Sequence, residues 1–140
     1  MARKKYVKPQ RRKRCARTLD SKYKSMQSCW RHATDKQGTL TIAEAKRIVD
    51  EGVTCPYCGL AVQAMDLSID HVIPRSRGGS SDPANLAWSH AKCNLTKSDL
   101  TGDEYLGLLH WLDGQDLRVK ESVLGRLRAG SYMKFRRKRG

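Results

Sequence analysis

Four residues of the types that bind zinc lie in two pairs. The first pair is Cys55 and Cys58, followed by Gly59, and the second is His90 and Cys93. Three thiolates and one imidazole suit a tetrahedral Zn²⁺ with Zn–S distances near ~2.3 Å. A glycine after the second cysteine permits the tight turn that points both sulfurs inward. Since four protein ligands leave no position for a substrate, we expect a structural zinc that helps to form the fold.

The CPYC sequence at residues 55–58 could alternatively be a redox-active dithiol, because the same sequence occurs in glutaredoxins. There the first cysteine is a nucleophile at a helix N-terminus, in a βαβ context. Here a capped helix is predicted to end just before Cys55, and the redox reading leaves His90 and Cys93 without a role. Disulfide pairing also explains poorly an odd set of five cysteines, which are Cys15, Cys29, Cys55, Cys58 and Cys93. We therefore favour zinc.

The segment SIDHVIPRSRGG, residues 68–79, lies between the two pairs and places Asp70 beside His71. A strand end that leads into a glycine-rich turn often displays reactive side chains. Asn94 directly follows Cys93, so whatever fixes that sulfur also fixes the asparagine side chain. Because a zinc with four protein ligands has no open position for a substrate, catalysis, if the chain performs any, must use another metal or none.

Local patterns predict the elements that position these residues. Two capping boxes, Thr41 to Glu44 and Thr101 to Glu104, each start a helix, because the hydroxyl and the carboxylate satisfy free backbone N–H groups. Further helices are expected at about 19–33 and 116–129, and the first capped helix should stop at Gly52. Between them, we expect a strand at 67–71, a turn at 78–79, a short returning strand at 85–88 and a helix from residue 91.

The charge is concentrated at the two ends of the chain. The formal net charge is +14, and more than half of the 28 basic residues lie in residues 1–17 and 126–140, which contain no acid. Clustered Lys and Arg suit a polyanion, because each neutralised phosphate releases condensed counterions. No segment has the length of a membrane span or of a signal peptide. These features predict a nucleic-acid partner, no membrane partner and a cytoplasmic location.

The order of the motifs resembles that of the HNH endonucleases of the ββα-metal group. The matching pattern is D-H-x-x-P-x-S-x-G-G, then N-L, then C-N-x-x-K, and its members here are Asp70, His71, Pro74, Ser76, Gly78, Gly79, Asn85, Leu86, Cys93, Asn94 and Lys97. The resemblance covers about residues 53–99. It implies an α+β fold whose ββα-metal core, with structural zinc, is flanked by helices and by basic disordered arms. The expected divisions are an arm at 1–17, helices at 18–52, the core at 53–99, helices at 100–129 and a tail at 130–140.

The resemblance also implies a role for each site residue. His71 would be the general base and Asn85 would orient it through its backbone carbonyl, while Asp70 and Asn94 would bind one divalent cation. All three of the groups at 70, 71 and 94 should converge on one scissile phosphodiester. The products would carry 5′-phosphate and 3′-hydroxyl ends.

This chain has Asn94 where the last letter of the motif is usually His. An amide oxygen is a harder ligand than imidazole, so we expect Mg²⁺ or Mn²⁺ rather than Ni²⁺ or Zn²⁺ at the catalytic site. Lys97 would contact a substrate phosphate. Arg75 and Arg77, beside the Gly-Gly turn, are candidates for contacts with the DNA backbone.

The leading hypothesis is therefore a metal-dependent endonuclease that nicks or cuts both strands of DNA. The alternative is a zinc-stabilised nucleic-acid-binding module without catalysis, which would have no use for Asp70, His71, Asn85 and Asn94 together. Small free-standing proteins of this kind resemble those of phages or mobile elements. Beyond DNA, the partners considered are a second copy of the chain and phage packaging proteins, in the cytoplasm of a bacterial host.

Overall fold

The computed structural model describes residues 18–137 and combines five helices with two small sheets. The helices are α1 (Leu19–Ala33), α2 (Ile42–Glu51), α3 (Ala91–Lys97), α4 (Gly102–Asp113) and α5 (Leu117–Arg137). The strands are β1 (Val53–Thr54), β2 (Ala61–Val62), β3 (Leu67–His71) and β4 (Leu86–His90). The α+β prediction is confirmed. Within this described part of the chain, every helix is too short or too polar to cross a bilayer.

The β3–β4 hairpin is antiparallel and is covered by a helix on each face. Its register pairs Ser68 with Ser89 and Asp70 with Ala87. Because side chains alternate along a strand, these four residues share one face, and α3 packs against it. His71 belongs to the opposite face, which packs against α1. On that face the Trp88 ring stacks on the Trp30 ring of α1, with the ring centroids 6.0 Å apart.

The two predicted capping boxes are present at the starts of α2 and α4. The Thr41 hydroxyl accepts the N–H of Glu44, and the Glu44 carboxylate accepts the N–H of Thr41. Thr101 and Glu104 make the same pair of bonds. Gly52 ends α2 with φ 79°, a conformation that favours glycine. These local signals were sufficient to set both helix starts.

The first pair of predicted zinc ligands, Cys55 and Cys58, lies in the turn between β1 and β2. The Cys55 N–H donates to the carbonyl of Leu60 and the Gly59 N–H donates to the carbonyl of Cys55, both at 2.9 Å. Gly59 has φ 71°, as the tight turn requires. This knuckle packs into the main core, which consists of Tyr23, Met26, Ala45, Cys55, Tyr57, Val62, Leu67 and Tyr105.

The turn after β3 depends on its two glycines. Gly78 has φ 83°, and a Cβ at Gly79 would lie 1.7 Å from the carbonyl oxygen of Ile73. The first residue of α4, Gly102, donates its N–H to the Val72 carbonyl at 2.8 Å, which ties α4 to the same loop. The loop that follows His71 is therefore held close to the hairpin.

The last helix is longer than expected. We placed its end near Ala129 and a separate basic tail at 130–140, but α5 continues to Arg137. The expectation rested on apolar residues at helical spacing, the last of which is Leu127. Beyond them, Ser131 donates its hydroxyl to the carbonyl of Leu95 in α3 at 2.7 Å, and α5 packs along α3. Tertiary packing thus accompanies the helix past the end of its apolar pattern. The predicted arm at 1–17 lies outside the described residues.

Candidate active site and metal centre

The four predicted zinc ligands come together. One ligand atom from each of Cys55, Cys58, His90 and Cys93 lies within 4.8 Å of the others. Cys55 is buried, whereas Cys58 is exposed. Three sulfurs and one imidazole nitrogen at this spacing fit a tetrahedral zinc, which makes the cluster a candidate structural metal centre.

The environment of the cluster also suits a metal thiolate site. The Nε2 atom of His90 lies 3.2 Å from the carbonyl of Ala61 and can donate to it, which leaves Nδ1, 3.2 Å from the Cys58 sulfur, free to bind a metal. Burial raises the pKa of the Cys55 thiol, but backbone N–H groups of Cys58, His90 and Tyr57 outweigh this and lower the pKa to about 6. Cys55 is therefore stabilised as a thiolate, the form that binds zinc. Burial and the negative charges of Cys55 and Cys58 raise the pKa of the Cys93 thiol, as expected for thiols that lie close together without a cation.

The Asp70 carboxylate, the first candidate ligand of a catalytic cation, is buried and fully engaged. It is 3% exposed, and the hydroxyl of Tyr57 donates to its Oδ2. Its Oδ1 accepts a charge-assisted bond from the Lys97 ammonium at 3.1 Å. Burial and the bond to Asp70 raise the pKa of Tyr57, so this hydroxyl remains a donor.

Lys97 occupies a different environment from the one expected of a phosphate contact. Its side chain is 1% exposed, and its ammonium also donates to the carbonyl of His71 at 3.0 Å. Asn94 lies one helical turn earlier, and its side-chain amide donates to the Ser68 hydroxyl and to the Ile69 carbonyl, both at 3.0 Å. Asp70, Asn94 and Lys97 are therefore grouped between β3 and α3.

His71 lies at the end of β3, on the α1 side of the hairpin. The Nε of Arg75 donates to the Nε2 atom of its ring at 3.1 Å, so Nε2 is the unprotonated nitrogen. A hydrogen bond to the carbonyl of Ala33 engages the ring as a donor. Burial lowers the pKa of His71, the Arg75 guanidinium acts in the same direction, and the Ala33 carbonyl opposes both. The imidazole is thus held neutral and half-buried.

Asn85 organises the loop that follows His71. Its side-chain oxygen accepts the N–H of Ile73 at 2.9 Å, and its side-chain nitrogen donates to the carbonyls of Ile73 and Ser80. The resemblance implied that the backbone carbonyl of Asn85 would contact the His71 ring. That carbonyl instead accepts the backbone N–H of Val72 at 2.9 Å.

The two candidate phosphate-binding arginines are both paired with acids. Arg75 forms an ion pair with Asp35 at 2.9 Å, and the same terminal nitrogen donates to the carbonyls of His32 and Ala33. Arg77 forms an ion pair with Glu104, the capping residue of α4. Both arginine side chains remain about half exposed, so a phosphate could reach them.

The convergence of Asp70, His71 and Asn94 on one scissile phosphodiester stays a prediction, and the contacts show only the elements that surround each side chain. Asp70 and Asn94 lie on the α3 side of β3, and His71 faces α1. Sequence reasoning also missed three participants, because Tyr57, Ala33 and Asp35 match no catalytic motif. Only Tyr57 carried a usable signal, since it lies between two predicted zinc ligands and a metal bound there would fix its position.

Comparison with known proteins supports the motif assignment. No curated protein matches the chain. Residues 55–100, about a third of the chain, match the family model described as HNH endonuclease. The matched segment begins at the first zinc ligand and includes every predicted ligand and catalytic residue. The resemblance drawn from the motifs is confirmed over this segment, and residues 55–100 are similar to the HNH endonuclease family.

Proposed function

We propose that this protein is a metal-dependent endonuclease that hydrolyses DNA phosphodiester bonds, with His71 as the general base. The observation that carries the proposal is the state of His71 within the HNH domain. Its ring is half-buried and has an unprotonated Nε2 at the end of β3, and the preceding residue, Asp70, has a buried carboxylate. A neutral imidazole with a lowered pKa suits proton abstraction from water.

In this mechanism the Nε2 lone pair of His71 takes a proton from a water molecule while the water oxygen attacks phosphorus. The bond between phosphorus and the 3′ oxygen then breaks, and solvent protonates the leaving oxygen. The products are a 5′-phosphate and a 3′-hydroxyl end. Because Arg75 donates to the same lone pair, its guanidinium must leave Nε2 before the proton can transfer.

Asp70 and Asn94 would hold the catalytic cation. A carboxylate and an amide oxygen are hard donors of the kind that Mg²⁺ and Mn²⁺ prefer. When bound there, such an ion would stabilise the negative charge on the phosphate and on the leaving oxygen. The Lys97 ammonium already neutralises Asp70, so this lysine must share or give up the carboxylate when a cation binds.

DNA is the proposed substrate because cationic groups surround the reactive end of β3. Arg75 and Arg77 are half exposed beside it, and the most basic segments of the sequence lie at the two ends of the chain. Arginine binds phosphate bidentately, so these two residues could position the backbone once their acidic partners are displaced. A second copy of the chain would allow cutting of both strands.

The test is plasmid nicking by the zinc-loaded protein with Mg²⁺, for the wild type and for His71→Ala. Loss of a general base should reduce the rate by about 10²–10⁴-fold while DNA binding persists. His110→Ala is the matched control, because His110 is exposed on α4 and away from the hairpin. Its nicking rate should equal that of the wild type.

The alternative, a zinc-stabilised DNA-binding module without catalysis, predicts a different result. The wild type would bind the plasmid and leave it intact with Mg²⁺ or Mn²⁺. Equal nicking by wild type and His71→Ala would point instead to a contaminating nuclease and would exclude His71 as the base.

A further inference from the structure

We propose that the C-terminal end of α1 is part of the active site and that Asp35 is a positioning residue for the general base, acting through Arg75. This inference rests on the proposed function and extends it. The residues involved, 32–35, lie outside the segment that matches the HNH family. They set which ring nitrogen of His71 is free to accept a proton.

The first step of the argument is the contact between Arg75 and His71. A guanidinium only donates hydrogen bonds, so an Arg75 Nε at 3.1 Å requires an unprotonated Nε2. The proton of the neutral ring must then be on Nδ1. The hydrogen bond made by one ring nitrogen determines the tautomer at the other.

The second step is the anchoring of Arg75 itself. The last carbonyls of a helix have no partner within the helix, and a cation placed there also compensates the helix dipole. One terminal nitrogen of Arg75 donates to the carbonyls of His32 and Ala33 at 2.9 and 3.0 Å, and the Asp35 carboxylate pairs with it at 2.9 Å. The end of α1 therefore surrounds this nitrogen with three oxygens, which share its two N–H groups.

The third step is the backbone of Asp35. Asp35 has φ 53° and Lys36 has φ 66°, a left-handed conformation that non-glycine residues seldom adopt. A hydrogen bond from Ser81 and the guanidinium of Arg75 hold the pKa of the Asp35 carboxyl below its usual value. Asp35 thus joins the end of α1 to two points, Arg75 and Ser81, of the loop between β3 and β4. Residues in unusual backbone conformations often serve a site.

Together these contacts determine the tautomer and the orientation of the His71 ring before DNA binds. Asp35 and the end of α1 hold Arg75 against His71, which fixes the Nδ1–H tautomer and directs Nε2 toward Arg75. A phosphate of the DNA competes with Asp35 for the exposed guanidinium. When Arg75 turns to the phosphate, the unprotonated Nε2 becomes available to water in the correct orientation.

The test is long-range ¹H–¹⁵N NMR of the His71 ring in the full-length, zinc-loaded protein at about pH 8, where imidazoles are neutral. We expect the wild type to show a protonated Nδ1 and an unprotonated Nε2. Asp35→Gly removes the carboxylate and suits the positive φ, so it should release the ring into a mixture of tautomers. Asp35→Asn also tolerates this φ and should retain part of the wild-type pattern.

The matched control is Glu104→Gln. It removes the charge that pairs with Arg77, the other arginine of the same turn, and it preserves the capping box. Its His71 spectrum should be that of the wild type. In plasmid nicking, Asp35→Gly should lower kcat by about 10- to 100-fold, with a smaller effect on the KM for DNA, as expected for a misplaced catalytic group.

The outcomes separate this inference from the proposed function. A wild-type tautomer and wild-type kcat in Asp35→Gly would overturn the role of Asp35 while leaving the nuclease proposal intact. An Nε2–H tautomer in the wild type would overturn it as well. A wild type that shows the expected tautomer but never nicks DNA would instead overturn the nuclease proposal.

Discussion

The two groups of candidate metal ligands in this molecule differ in what their donor atoms already contact. In the cluster of predicted zinc ligands, the three thiol sulfurs and a ring nitrogen of His90 lie within 4.8 Å of one another. In the hairpin, both oxygens of Asp70 are bonded to Tyr57 and Lys97. The first arrangement is suited to a permanent ion, and the second to an ion that competes with a protein cation. The difference separates a structural role from a catalytic one.

The same comparison shows that the two groups are linked. Tyr57 lies between Cys55 and Cys58, and its hydroxyl donates to Asp70. Asn94 follows Cys93, and α3 carries both Asn94 and Lys97 to the face of β3 that bears Asp70. Because the segments that carry the candidate zinc ligands also supply contacts to the hairpin, we expect a zinc bound there to help position Asp70, Asn94 and Lys97.

The largest expected effect is the loss of stability when one of the predicted zinc ligands is replaced. Cys58→Ser should abolish zinc binding and unfold the HNH domain, because structural zinc contributes about 10–16 kcal/mol of apparent binding free energy to such folds. The measurements are zinc content and thermal unfolding. Cys29→Ser is the control, since Cys29 is exposed on α1 and lies outside the cluster. Equal melting of wild type and Cys58→Ser would show that the cluster has no structural role.

A smaller effect is expected in the hairpin from Lys97→Met, which keeps the aliphatic stem and removes the ammonium. Asp70 would become a buried charge without its cation, which costs about 3–5 kcal/mol of unfolding free energy. Chemical denaturation measures the loss. Mg²⁺ should restore part of it, because a ligand that binds only the folded state stabilises that state.

Two comparisons make the Lys97 prediction specific. Adding Asp70→Asn to Lys97→Met removes the unpaired charge, so the double variant should be more stable than the single one without any metal. Mg²⁺ should then have little effect. If Mg²⁺ stabilised the wild type as strongly as Lys97→Met, the lysine would not compete with a cation for Asp70.

The smallest expected effect is on the pH dependence of cleavage. The pKa of His71 lies below its ordinary value of 6.5 because of burial and of Arg75. A general base acts in its neutral form, so kcat should rise with pH through a midpoint below 6.5 and stay level above neutrality. Single-turnover cleavage across this range measures the midpoint. A midpoint above 7 would contradict the described environment of His71.

Local sequence signals predicted most of the elements and the zinc ligands. The capping boxes at Thr41 and Thr101 act over three residues, so they can be read without the fold. The ligand pairs at 55 and 58 and at 90 and 93 have a spacing that only metal binding explains well. The strand that ends at His71 was likewise predicted from its apolar run and the glycines after it.

The contacts of Asp70 and His71 could not be predicted from local sequence signals. Lys97 contacts Asp70 across 27 positions, and Arg75 contacts the end of α1 across more than 40. Nothing in the sequence indicates which helix end will supply carbonyls to an arginine, since every helix has such carbonyls. The length of α5 was also misjudged, because the apolar spacing ends at Leu127 and the contact of Ser131 with Leu95 in α3 cannot be inferred from that spacing.

The sequence by itself determined the residue types, the knuckles and the strand end at which Asp70 and His71 lie. Only the tertiary structure decided that Asp70 faces α3 and a buried lysine, while His71 faces α1 and an anchored arginine. The physical reason is strand alternation. Neighbouring residues of β3 project to opposite faces, and what each one meets depends on the helices that pack there.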